Sequence, residues 1–235
     1  MILFLLLIAE LILLFFLSQR LTQSLFDLCI LLFRARSVAI TIITILNFPG
    51  TVIHELSHLF TAEVLGVRTG KLTLVPESIQ SDPSTSLGVK AGSVMIAASD
   101  PFRRYLIGLA PIVTGLTAIS AISYFLSQQF TPITPLTILY FYLLLAISNA
   151  MFSSTEDLKG FLPFIITLGI MAGAAYLAGL RVGITGPALS VATKILIALT
   201  KSLGGVLALN IIGIILTKLL ILLTEKLTRR KLIRR

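Results

Sequence analysis

Only two histidines occur among the 235 residues, and both fall within one segment, His54-Glu55-Leu56-Ser57-His58. On a helix, residues four apart stand about 40° apart on one face, one turn above the other, so both imidazoles can reach a single metal ion. Glu55 lies about 100° round from His54, near enough to hold a water on that ion without competing as a ligand. This spacing is the His-Glu-x-x-His pattern of zinc-dependent hydrolytic sites. There zinc lowers the pKa of its water to about 7, and the adjacent carboxylate takes the proton and later delivers it to a leaving group. Glu55 is also one of few carboxylates inside an apolar run, and ionisable groups at membrane depth are costly and tend to be functional. The rival reading is a pair of helix-surface histidines beside a snorkelling glutamate.

A catalytic zinc usually takes three protein ligands and leaves one position open. Cys29 is the sole cysteine and there is no third histidine, so a carboxylate must complete the set. Glu63, five residues after His58, lies about 140° round the helix and faces elsewhere. Glu77, Asp82 and Asp100 sit in or beside a polar loop, where solvation explains them. Glu156 and Asp157 remain, set between two apolar stretches. Their neighbours Ser153, Ser154 and Thr155 would equally suit a solvated turn or a helix cap. The residue types leave the choice between Glu156 and Asp157 open.

The elements that must position these groups belong in a bilayer. Hydrophobic residues make up 56% of the chain and charged ones 12%, and the mean hydropathy is +1.02, which cannot supply a soluble surface. Long continuous apolar runs, rather than alternating segments of about ten residues, indicate helices and not a closed barrel. The expected fold is one all-α polytopic bundle over residues 1–235 with about six spans. Residues 2–18 give the first, read as an uncleaved span because no basic segment precedes it and no small-residue cleavage site follows. Residues 21–36 read as interfacial or tilted. Pro49 suits the first turn of a new helix that carries the His-Glu segment, and Gly66 suits its stop. Further apolar helices are expected at 103–128, 136–150 and 161–180, and the stretch 187–227 exceeds one crossing. Between Val67 and Pro101, residues 71–75 and 89–96 read as short strands of a small membrane-surface β-hairpin, with a solvated loop as the alternative. Its exposed edge could pair with an extended peptide.

The formal charge of +9 does not point to nucleic acid, because the basic residues cluster at helix ends and in the tail from Lys226 to Arg235. That distribution suits cytoplasmic flanks and anionic headgroups of the lipid bilayer. The loop after the His-Glu helix, with Arg68, Lys71, Lys90, Arg103 and Arg104, is expected on the cytoplasmic side together with Lys159 and the basic carboxyl terminus. The uncharged turn around Pro132, and Arg181, are then external.

Three stretches resemble the site-2 protease superfamily, intramembrane metalloproteases of the M50 type, and within it the compact bacterial M50B-like proteins. They are Phe48-Pro49-Gly50-Thr51-Val52-Ile53-His54-Glu55-Leu56-Ser57-His58, Ser99-Asp100-Pro101-Phe102-Arg103-Arg104 with Gly108-Leu109-Ala110-Pro111, and residues 149–160. They cover the middle half of the chain. The resemblance implies one Zn²⁺ held by His54, His58 and Asp157, with Glu55 as catalytic base. Asn149, eight residues before Asp157, is implied to bind the substrate backbone or the oxyanion. It further implies peptide-bond hydrolysis in a transmembrane protein substrate, a strand-like loop that aligns an extended substrate, and a prokaryotic inner membrane as the location. Two departures stand out: the family often has proline three residues after the asparagine and glycine directly after the aspartate, where this chain has Phe152 and Leu158. A non-proteolytic membrane protein, a metal carrier or assembly factor, could retain the same ligands.

Overall fold

The computed structural model describes residues 2–73, 93–96, 100–128, 134–152 and 186–228, with isolated positions between 167 and 179. Within them run five helices: α1 (Ile2–Phe33), α2 (Arg36–Val64), α3 (Pro101–Gln128), α4 (Pro135–Ala150) and α5 (Pro187–Thr228). All but α4 are long and apolar enough to cross a membrane, and α4 is a shorter apolar helix. Large apolar side chains such as Phe4, Phe60, Phe102, Tyr124 and Leu222 stand exposed around the outside, as lipid-facing positions should. The expected span at 161–180 lies largely outside the described residues.

Two expectations about the first 64 residues are corrected. Residues 21–33 are not a separate interfacial segment but the second half of a continuous α1. Pro49 does not begin a helix; it lies inside α2, which runs unbroken from Arg36. An interior proline removes one helical hydrogen bond and usually breaks a soluble helix, but in an apolar span flanking helices sustain it. Arg34 and Ala35 alone join α1 to α2, with Arg34 in the left-handed region at φ 55°, so the two packed helices run antiparallel. The expected stop does hold: Gly66 has φ 68°, its N–H bonds the Glu63 carbonyl, and the Val67 N–H reaches back to Ala62. This is a Schellman ending, and Val67 packs on Ala62 to complete it.

Beyond it, strand β1 (Thr69–Thr73) pairs antiparallel with β2 (Ser93–Ile96), with Leu72 opposite Val94 and an irregularity between Thr69 and Leu72. Residues 74–92, which connect them, lie outside the described residues. Both strands touch α2, and the Thr69 hydroxyl donates to the Glu63 carboxylate. Asp100 then caps α3: its carboxylate accepts the Arg103 N–H at 3.0 Å and pairs with the Arg103 side chain, while Pro101 takes the first helical position. Thr134 caps α4 through a reciprocal box with Thr137.

The helices meet where side chains are small. A Cβ on Gly50 of α2 would overlap the Ala146 carbonyl of α4 and press on Ala150, and one on Gly115 of α3 would overlap the Met151 side chain. Such positions let backbones approach closely, which is how apolar helices gain contact where lipid offers no hydrophobic drive to associate. Leu7, Leu14, Ile119, Leu144, Ile147, Met151, Leu203, Val206 and Leu207 form the main buried cluster, drawn from α1, α3, α4 and α5.

Helix direction follows from these contacts. Glu10 faces Gly204 and Leu21 faces Gly213, so residue numbers rise together along α1 and α5 and the pair is parallel. Six alternating crossings would make the first and last helices antiparallel. The carboxyl end of α5 therefore lies at the end of the bundle where α1 finishes, opposite the strands that follow α2. This departs from the expectation that the loop after α2 and the basic tail share a face.

Gly50→Ala should lower the melting temperature in detergent by the equivalent of about 1–3 kcal/mol, the usual cost of overpacking. Gly205→Ala, with open space around the added methyl, should leave it unchanged or raise it.

Candidate metal centre

The site is built on the inward face of α2. Gly50, His54 and His58 recur every fourth residue, so the close contact with α4 and the two imidazoles share one stripe. The neighbouring buried positions are Thr51, Glu55, Ser57 and Ala62. His54, Glu55 and His58 are 3%, 5% and 6% exposed, while Leu56 and Phe60 between and beyond them face outward. A helix-surface histidine pair with a snorkelling glutamate would need all three at the surface, and they are not.

The histidines converge. Their rings meet edge to face with centroids 4.8 Å apart, and the two Nε2 atoms are 3.2 Å apart. His58 Nδ1 lies 2.8 Å from the Ile107 carbonyl of α3. A carbonyl can only accept, so Nδ1 carries the proton and a neutral His58 presents the lone pair of Nε2 toward His54. Two ligands bound at Zn–N distances of about 2.0–2.1 Å on a tetrahedral ion sit about 3.3 Å from each other, so the observed separation fits a shared metal. A backbone carbonyl behind a ligating imidazole is also the usual outer partner of such a site. The same 3.2 Å would suit a hydrogen bond from a His54 Nε2–H, the arrangement without a cation. The Ser57 hydroxyl, bonded to the His54 carbonyl at 2.6 Å, is satisfied within α2.

Among the described residues, no three or more His, Cys, Asp or Glu side chains are arranged so that together they could hold a metal ion. Glu156 and Asp157 lie outside them. Glu63 is exposed and bonded to Thr69, and Asp100 caps α3, so neither belongs to the site, as expected.

Asn149 is placed beside α2 by the packing of α4. Ala146 and Ala150 meet Gly50, and Asn149 lies within about 100° of both around the helix. It is partly buried, and its Oδ1 is enclosed with no hydrogen-bond partner among the described residues. On the other side of α4, Ser148 meets Asn210 of α5, both 0% exposed; Asn210 donates to the Ser148 hydroxyl at 3.4 Å and to the Val206 carbonyl at 3.0 Å. This polar tie was not among the expected features, although an asparagine inside the apolar run of α5 was its visible signal. Met151 over Gly115, and Phe152 edge-on to Phe15 at 5.7 Å, hold the chain where it leaves α4.

Comparison with protein-family models, with curated proteins and with solved structures finds no match to this chain.

His54→Ala and His58→Ala should each weaken zinc binding at least about 100-fold, since even outer partners of such ligands count for 10–100-fold. Isothermal titration on the detergent-solubilised chain checks this, together with a stoichiometry of one ion in the unaltered protein.

Proposed function

We propose that the chain is an intramembrane zinc metalloprotease that hydrolyses peptide bonds of membrane-embedded or membrane-proximal proteins. The observation that carries the reading is the buried, convergent pair His54–His58 with Glu55 beside it, on a helix long and apolar enough to span a membrane. The resemblance to site-2 proteases points the same way and supplies the third ligand, Asp157. Ala150 touches Gly50, one turn before His54, and the five residues from Phe152 to Asp157 can reach at most about 17 Å, so connectivity permits that ligand.

Zinc held by His54, His58 and Asp157 would supply a Lewis acid that acidifies water and polarises the scissile carbonyl. Glu55 would take a proton from the attacking water and pass it to the leaving amine. Burial of the site strengthens each of these interactions by excluding bulk water. A helical substrate must first unwind, because its carbonyls are otherwise bonded internally. Asn149 would accept a backbone N–H of the unwound segment, a role that its enclosed and unbonded Oδ1 supports. The paired strands at the end of α2 offer an edge on which that segment can extend, at the membrane surface.

Topology follows the helix directions. With each of the five helices crossing once, the strands and the basic tail fall on opposite faces of the membrane. Lys201 and Lys218 of α5 bracket about 24 Å of uncharged helix, a length that suits the hydrocarbon core with lysines snorkelling to either side. Single cysteines introduced at Arg68 and at Lys226 in a Cys29→Ser background should be labelled by an impermeant thiol reagent from opposite sides of sealed vesicles. Labelling from one side would restore an even count of crossings.

Glu55→Gln should retain zinc and lose cleavage of reconstituted single-span peptides by about 10²–10⁴-fold, read by mass spectrometry of the products. Cleavage at the unaltered rate would sink the mechanism and favour a carrier or assembly factor. Asp157→Ala should abolish zinc binding and Glu156→Ala should preserve it; the reverse pattern would identify the glutamate as the ligand.

A further inference from the structure

The carbonyl that orients His58 is not an ordinary helix carbonyl. In α3 the partner of the Ile107 C=O would be the N–H of residue 111, four positions on, and residue 111 is proline. Pro111 has no N–H to give, and an interior proline ring also presses on the carbonyl four residues earlier and tilts it off the helix axis. In an apolar interior a carbonyl left without a donor is costly and takes one from a neighbour. Here the donor is His58 Nδ1–H of α2, at 2.8 Å. Ile107, Pro111 and Gly115 are all buried and recur every fourth residue, so the acceptor, the residue that frees it and the close contact with Met151 lie on one face of α3.

We infer that Pro111 is a positioning residue of the metal centre: by withholding its N–H from Ile107 it reserves that carbonyl for His58 Nδ1, and so holds Nε2 of His58 as the metal-binding lone pair. The inference rests on reading His54 and His58 as a metal pair, but its physical content, one tautomer of one imidazole, exists before any ion binds. With alanine at 111 the helix would recover its own hydrogen bond, the Ile107 carbonyl would be shared and turned back toward the axis, and His58 would be free to take either tautomer.

The test compares the unaltered chain, Pro111→Ala and Pro111→Leu, with an α-hydroxy acid at position 111 as rescue, since the ester it forms has neither the ring nor an N–H. Side-chain ¹⁵N spectra of the metal-free protein read the tautomer directly. The unaltered chain should show His58 protonated at Nδ1, and the alanine and leucine variants a mixture. Zinc affinity should fall about 10-fold or more in both, with helix content and melting temperature retained, and the ester should recover most of it. A single Nδ1–H tautomer in Pro111→Ala, or unaltered zinc affinity, would overturn the role of Pro111 while leaving the metal pair in place. An unaltered chain that binds no zinc would instead remove the metal reading and this inference with it. Unfolding of the alanine variant does not shelter the proposal, because failure of the ester to differ from leucine would overturn it independently.

Discussion

The backbone contact between Gly50 and Ala146 is the constraint on which the rest of the site depends. Inside a bilayer, lipid chains are as apolar as leucine, so helices do not associate to escape solvent; they associate where backbones can come close. Gly50 is such a place, because any Cβ there would overlap the facing carbonyl. It lies one helical turn before His54, and the contact brings the carboxyl end of α4 beside the histidine stripe. Asn149 is on that end, and the chain toward Asp157 continues from it. A wider approach at Gly50 would move Asn149 away from the histidine stripe.

Pro111 shows how irregular backbone is put to use at membrane depth. Water cannot satisfy a stranded carbonyl there, so each interruption must be answered by a neighbouring group. At Ile107 the answer is an imidazole, and a local defect in α3 becomes the feature that orients a residue of α2. The Asn210–Ser148 tie between α5 and α4 follows the same logic with side chains alone: both groups are fully buried, and neither has solvent as an alternative. Polar contacts of this kind contribute about 0.6 kcal/mol each in membrane proteins, so their value lies more in fixing helix rotation than in overall stability.

Local features were legible in the residues, while features that depend on neighbours were not. The helical spacing of His54 and His58, the Gly66 stop and the change of character after Val67 all follow from periodicity and backbone preference within a few positions. Pro49 was misread as a helix start because the proline rule weighs only the lost hydrogen bond and the clash, whereas packing of α2 against α3 and α4 holds the helix through it. The interfacial segment expected at 21–36 rested on Asp27, Arg34 and Arg36, but Asp27 lies inside a 32-residue helix that carries it without interruption. The parallel pairing of α1 and α5 has no signature in hydropathy at all, since an apolar run has no direction. Pro111 stands in plain view inside the apolar stretch 103–128, but only the position of His58 across the interface gives it a consequence.

Burial of three ionisable side chains at one place constrains what the site can be. If His54 donates from Nε2 to His58, the pair forms one neutral hydrogen bond, worth about 1 kcal/mol. If both Nε2 atoms carry lone pairs, they point at each other across 3.2 Å and repel unless a positive ion lies between them. A divalent cation would offset that repulsion, because a bound metal is the largest local charge in such a site. In both arrangements the Ile107 carbonyl holds the proton of His58 on Nδ1 and leaves Nε2 as a lone pair; what differs is whether His54 meets that lone pair with an N–H or with a second lone pair.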